Sequence, residues 1–247
     1  MLVYPIGCTE ACQYAAAELK KNGISLVDHP APEVTHLLLD IPSFDGTGKL
    51  RGGGEIGHYL ERLPPSVSIA GGNLKHSTLI EHRCLDLLQD EGYLAMNAAI
   101  TADCALRVAG RELKTVFSGC PVLILGWGRI GKCLGQMLKA LDADVTIAAR
   151  KDSDIAMIRG LGYRGLNIFR LQSFLPGFRL IINTVPHMIL DSAAMAPRAD
   201  CVKIDLASKP GIGGEDVIHA RGLPGVMAPE SSGKLIAETF LKLVRRD

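Results

Sequence analysis

Short apolar runs alternate along this chain with stretches of helical periodicity. It opens on "LVYPI" and continues through "CQYAAAELKKNG", which has helical spacing and closes on Gly23. Three more runs of strand length follow, "ISLVD", "THLLLD" and "SVSIAGG". Between the last two lies "IPSFDGTGKLRGGGEIGHYLERLPPS", rich in Gly and Pro, which predicts an irregular connection whose "GGGEIGHYLERL" feeds a short helix. Leu74, Leu79, Ile80, Cys84, Leu87 and Leu88 have the spacing of an amphipathic helix from Leu74 to about Gln89, and a second helix is predicted from Ala98 to Leu113.

After Gly119 the alternation is cleaner. It predicts strand 121–125, helix 129–141, strand 144–149, helix 153–160, a short segment "YRGLNIF", strand 179–184, a helix near 188–195, strand 201–206, a short helix 215–221 and strand 224–228. Strand and helix repeating with short connections imply a parallel sheet covered on both faces. The stretch "SSGKLIAETFLKLVRR" predicts a helix capped by its serines, apolar along Leu235, Ile236, Phe240, Leu241 and Val244, that packs back onto the first domain. The expected fold class is therefore α/β: a Rossmann-type doubly wound parallel sheet over 98–228, and a smaller α/β N-terminal domain over 1–97 completed by a C-terminal helix, 229–247.

Composition narrows the partners. With 27 Lys plus Arg against 26 Asp plus Glu, and no run of like charge, the bulk field gives no reason to expect nucleic acid or a membrane surface. Any anion site must be local. The seven cysteines fit reduced thiols better than a disulfide framework. Cys8 and Cys12 form the one close pair, without a second pair or a His at ligand spacing, so no metal is expected. "MLVYPIGC" lacks a basic start and a long apolar stretch, and no apolar run approaches the roughly 20 residues that span a bilayer, so a cytoplasmic protein is expected.

"PVLILGWGRIGKCLGQMLKALDADVTIAARK" carries the chemistry. Gly126, Gly128 and Gly131 directly follow an apolar strand and open a helix, the context that gives a G-x-G-x-x-G its meaning. The first glycine permits the tight turn, the second leaves room for a pyrophosphate and the third lets the helix lie close to the strand. The helix N-terminus then offers free N–H groups to the phosphates. At the end of the second strand, where an NAD site usually places Asp or Glu against the ribose 2′-hydroxyl, stand Arg150 and Lys151. An arginine there can grip a 2′-phosphate, with Lys151 and Ser153 as helpers, so the expected cofactor is NADP(H).

"NTVP" (183–186), "DLASKPG" (205–211) and "GLPGVMAPESSG" (222–233) fall at later strand ends. Together with "GWGRIG" and "AARK" they make the chain resemble the dehydrogenase subunit of dipicolinate synthase, most strongly from about Ser118 to Phe240. The resemblance implies NADP-dependent oxidation of a dihydrodipicolinate to pyridine-2,6-dicarboxylate during sporulation, beside a second, flavoprotein-like subunit of the synthase; two-domain dehydrogenases are commonly dimers or larger, so a homo-oligomer is expected. It implies that the cofactor lies against Gly126, Trp127, Gly128, Arg129, Ile130 and Gly131. Asn183, Thr184 and Val185 would pass near its ribose and nicotinamide, with Pro186 stiffening the turn. Asp205, Leu206 and Ala207 would border the nicotinamide, and Ser208 and Lys209 would meet a substrate carboxylate.

In the first domain, "SIAGGNLKHS" looks like the family's glycine turn, which makes Gly71, Gly72, Asn73 and Lys75 candidates for the substrate cleft. "LAMNAAITADCA" matches a strand-to-helix junction and adds Asn97 to Ser208 and Lys209 as catalytic candidates. Glu230 and Ser231, further candidates for substrate binding, stand where the family more often shows Lys and Thr, and the opening "MLVYPIGCTEACQ" lacks the family's glycine pair. Two other readings stay open. A 2-hydroxyacid dehydrogenase would need an Arg, a Glu and a late His, and His187 and His219 lack the expected neighbours. A non-catalytic NADP(H)-binding sensor or scaffold would account for the altered first domain.

Overall fold

The computed structural model describes residues 1–191 and 198–245. The chain divides into two compact units, Met1–Asn97 with Pro224–Asp247, and Ala98–Leu223.

The first unit begins with β1 (Leu2–Pro5), α1 (Glu10–Lys21), β2 (Ser25–Leu26), β3 (His36–Leu38), α2 (Gly57–Leu60), β4 (Ser68–Gly71) and β5 (Cys84–Asp86). Its strands are parallel, in the order β2-β1-β3-β4-β5, with Val3 opposite His36 and Leu38 opposite Ala70. β3 and β4 are buried along their whole length, as strands covered on both faces must be. Leu37, Leu39, Ile56, Ile69 and Leu79 form the core. α1 starts where the Thr9 hydroxyl accepts from the Cys12 N–H and stops at Asn22, with Gly23 at φ +78°.

The predicted helix from Leu74 to Gln89 is absent. Of its apolar residues, Cys84 belongs to β5, and Leu79, Leu87 and Leu88 to single turns at Ser77–Leu79 and Leu87–Gln89. Asp86 decides this: its carboxylate accepts from the N–H groups of Asn73, Leu74 and Leu88 at 3.1, 3.0 and 2.9 Å, while β5 pairs with β4. α3 (Glu91–Glu112) begins before the predicted Ala98, because Asp90 binds the Tyr93 N–H at 2.9 Å and starts the helix there.

The second unit contains β6 (Pro121–Leu125), α4 (Arg129–Ala140), β7 (Asp144–Ala149), α5 (Asp152–Gly160), β8 (Arg164–Asn167), β9 (Leu180–Asn183), β10 (Val202–Asp205) and β11 (Val217–His219). All its strands are parallel, in the order β11-β10-β9-β6-β7-β8, so strand order reverses between β6 and β9, the doubly wound arrangement. The segment "YRGLNIF" supplies β8. Two short elements exchange types. The predicted helix 215–221 contains β11, held in register with Lys203, Ile204 and Asp205. The predicted strand 224–228 falls on the one-turn α6 (Leu223–Met227). Of the predicted helix near 188–195, residues 188–191 are not helical and Leu190 bridges to Ile212; the rest lies outside the described residues.

α7 (Pro229–Arg245) returns to the first unit. Proline at its first position sets the helical φ, so Ser231 and Ser232 lie inside the first turns and do not cap it. It packs on α1 through Gly233, where a Cβ would stand 2.7 Å from the Ala11 carbonyl oxygen and 2.8 Å from the Ala15 nitrogen. Phe240 is fully buried edge-on to His36, with centroids 5.5 Å apart, and Lys242 reaches both oxygens of Asp90 at 2.8 and 2.7 Å. Among the described residues no helix is long and apolar enough to cross a membrane.

Candidate functional site

The loop between β6 and α4 gives each of its glycines a different task. Gly126 has φ +106°, in the left-handed region, and a Cβ there would stand 2.5 Å from the Thr184 Oγ1 and 2.9 Å from the Val185 Cγ2. A Cβ on Gly131 would overlap the Gly126 carbonyl oxygen, so this glycine brings helix and strand together. Gly128 is different: nothing lies within 4 Å of where its Cβ would be. It is the N-cap residue of α4 and brings no side chain to the first-turn N–H groups, which an α-helix leaves without intrahelical partners. Close packing at Gly126 and Gly131 with open space at Gly128 is the cradle a pyrophosphate would fill.

Around it, Trp127 stands edge-on to Tyr163 at 6.1 Å with Lys132 Nζ 5.7 Å from its ring, Arg129 is exposed at the first position of α4, and Ile130 is half-buried. Arg150 and Lys151 are both exposed at the end of β7, and among the described residues neither forms an ion pair. Asp152 and Asp154 lie in the first turn of α5, where its dipole favours carboxylates, and Ser153 lies between them. Arg150, Lys151 and Ser153 could hold an anionic group such as a phosphomonoester, which Asp152 and Asp154 would oppose.

A buried clasp holds the neighbouring turns. Asn183 ends β9 fully buried, donating through Nδ2 to Val185 O at 2.9 Å and to Asp205 Oδ1 at 2.8 Å and accepting from the Val185 N–H at 3.0 Å. Asp205 ends β10, and its other donors are the N–H groups of Ala207, Gly211 and Ile212 at 3.0, 2.7 and 3.1 Å. Burial alone would raise its pKa; the hydrogen bonds from Gly211, Asn183, Ala207 and Ile212 outweigh that and hold it below the ordinary value. The carboxylate is thus committed to shaping the turn 206–212. Leu206 and Ala207 are buried in that turn, and Ser208 and Lys209 project from it, exposed. Thr184 donates to Leu125 O at 2.9 Å and so ties β9 to the glycine loop, and Pro186 is exposed beyond it. The structure therefore brings Gly126, Thr184 and Val185 together at the reversal of strand order. Sequence reasoning missed Arg221, whose Nε donates to Ala207 O at 3.1 Å, and Gly211, where a Cβ would stand 2.7 Å from Val185 O; the glycine of "SKPG" is the signal that could have found it.

The first-unit candidates are more dispersed. A Cβ on Gly71 would overlap the Ser43 hydroxyl, and one on Gly72 would stand 2.8 Å from Ile41 Cγ2 and 2.9 Å from Leu88 Cδ1, so both glycines serve packing. Asn73 adopts φ +58°, and Lys75 is exposed two residues beyond it. Asn97 lies inside α3, not at a strand-to-helix junction, because the helix starts earlier. Glu230 pairs with Lys234 at 2.7 Å on the exposed face of α7, next to exposed Ser231. A group that sequence reasoning passed over is Asp40, 4% exposed, which accepts from the N–H groups of Cys8 and Thr9 at 2.8 and 3.0 Å and from the Thr9 hydroxyl. Among the described residues no group of His, Cys, Asp and Glu could hold a metal ion.

No protein-family model matches the chain. It is 28% identical over 205 residues to the A subunit of dipicolinate synthase of Bacillus subtilis (strain 168), covering 75% of this chain and 67% of that relative. Among solved structures it is similar to the A subunit of dipicolinate synthase from Bacillus halodurans, with TM-score 0.83 and 23% identity over 98% of this chain and 97% of that one. It is also similar to the same protein from Bacillus subtilis, with TM-score 0.82 and 21% identity over 100% and 96% of the two chains. The resemblance read from "GWGRIG", "NTVP" and "DLASKPG" is borne out, and the doubly wound α/β fold with it.

Proposed function

From the resemblance to the dehydrogenase subunit of dipicolinate synthase, we propose that this chain is an oxidoreductase that binds NADP(H) in its second unit and oxidises a dihydrodipicolinate to pyridine-2,6-dicarboxylate. The observation that carries the reading is the glycine loop, crowded at Gly126 and Gly131 and open at Gly128. Gly128 and the first turn of α4 would receive the pyrophosphate. Arg150, with Lys151 and Ser153, would hold the 2′-phosphate through charge-assisted hydrogen bonds. Thr184 and Val185 would line the path to the nicotinamide, which supplies a hydride acceptor when bound. Asn183 and Asp205 hold the turn from which Ser208 and Lys209 project, within reach of solvent and free to meet a substrate carboxylate.

The reaction asks for position and charge more than for a nucleophile: as aromaticity develops, a ring hydride would pass to the nicotinamide and a proton to solvent. The test is a titration with NADPH and NADH followed through Trp127, the single tryptophan, which stands between the first two glycines of the loop. NADPH should saturate at much lower concentration than NADH, and Arg150→Asp should weaken NADPH by about 2 kcal/mol or more, roughly thirtyfold. Equal affinities before and after the substitution would remove the 2′-phosphate from the assignment. Turnover is then assayed with a flavoprotein-like partner present and dihydrodipicolinate generated in situ, reading reduced cofactor by absorbance.

A further inference from the structure

The first unit has its own reversal of strand order: β1 lies between β2 and β3, so the chain leaves it in opposite directions on its two sides. Crevices at the carboxyl ends of strands at such a point are where α/β sheets take ligands. A cavity of about 210 Å³ opens there, and Gly7, Cys8, Asp40, Arg51, Gly52 and Tyr59 are among its lining. All of them belong to the first unit.

Its charges are unequally free. Asp40, on the floor, has donors on both oxygens, from the Cys8 N–H and thiol on one and from the Thr9 N–H and hydroxyl on the other. The N-terminus of α1 begins at those same residues and further offsets its charge. Arg51 is exposed and pairs with no carboxylate among the described residues. Its loop is nonetheless anchored: Arg51 N–H bonds Ser43 O at 3.1 Å, Leu50 N–H bonds Gly54 O at 3.1 Å, and Phe44 bridges to Leu50. Gly52 brings the loop against Cys8, where a Cβ would stand 3.1 Å from the Cys8 Cβ and 3.2 Å from its sulfur. A guanidinium on an anchored loop, without a carboxylate partner and beside a polar crevice with an aromatic wall, suits a planar carboxylate. The volume is of the order of one small ring.

We propose that the crevice at the β1–β3 reversal seats a small organic carboxylate, with Arg51 as its charge partner and Tyr59 as its flat wall. The choice of a ring dicarboxylate as ligand rests on the function proposed above. The full chain is titrated calorimetrically with pyridine-2,6-dicarboxylate, with and without NADPH, as wild type, Arg51→Ala and Arg51→Lys. Arg51→Ala should weaken the dicarboxylate by about tenfold or more, and Arg51→Lys by less, since it keeps the charge and loses the fork. The dicarboxylate should also slow alkylation of the exposed Cys8 while leaving the exposed Cys84 unchanged. NADPH titration through Trp127 should be the same in all three proteins, which shows that the variants are folded. Normal NADPH binding with the dicarboxylate bound equally by Arg51→Ala, or bound with Cys8 unprotected, would overturn the crevice alone, whereas no dicarboxylate binding by wild type would overturn the crevice and the proposed substrate together. Loss of NADPH binding by wild type would instead overturn the dinucleotide reading.

Discussion

At Asp205 one side chain organises the turn from which two of the proposed substrate contacts project. Each of its oxygens accepts two hydrogen bonds, and Asn183 links it to β9. Asp205→Asn would keep the shape but turn an N–H₂ group toward N–H donors, leaving buried donors unmatched at about 1–3 kcal/mol each. Urea unfolding should show that loss, and amide exchange should quicken first at residues 206–212; unchanged protection there would mean that the turn stands without its clasp. "DLASKPG" makes Asp205 conspicuous in the sequence, but not what its carboxylate does. Its partners are the backbone of its own turn and an asparagine on another strand, and such closure depends on tertiary geometry that residue types alone do not carry.

Among the elements, β6, α4, β7, α5, β9 and β10 are legible because long apolar runs and helical spacing agree over many residues. β11 and α6 invert their sequence reading because they are short: three or five residues such as "VIH" and "LPGVM" satisfy either period, and pairing with β10 or the proline at 224 decides. The helix expected over 74–89 fails through competition for its backbone: Asp86 takes the Leu88 N–H that a helix would give to the Cys84 carbonyl, and Cys84–Asp86 pairs with β4. The β6–α4 junction yields a sharper comparison. Gly131→Ala forces a methyl group into the Gly126 carbonyl and should destabilise the second unit by about 1–3 kcal/mol. Gly128→Ala meets no protein atom within 4 Å and should cost less than about 1 kcal/mol of stability, yet weaken NADPH by about tenfold or more. Thermal melts and Trp127 titrations on the two variants separate the tasks; wild-type NADPH affinity in folded Gly128→Ala would place the pyrophosphate elsewhere.

For the molecule as a whole, acid should act on the two units in turn. In the first, Thr35 Oγ1 donates to Leu2 O and accepts from Leu2 N–H, both at 2.9 Å, so His36 Nδ1 must carry a proton to bond it. Its Nε2 is buried without a partner. Burial first, then the charges of Arg83 and the chain's N-terminus, lower the His36 pKa from 6.5. A lowered pKa means that the neutral ring's full stabilisation is present above pH 6.5 and is lost as pH falls through the folded value. Asp205 in the second unit is also lowered, but from 3.8, so its clasp persists until the solution is more acid than that. Between those limits, amide exchange should rise in the first unit while Trp127 emission stays native; simultaneous loss would show that His36 does not set the order. The helix α7 carries another consequence, in the order of synthesis. Residues 98–223 are contiguous and are made before 229–245, so on the ribosome the middle of the chain can fold first. Until α7 is made, the face of α1 at Ala11, Tyr14 and Ala15 lacks the helix that packs against it, a stripe of the nascent chain for a chaperone to hold.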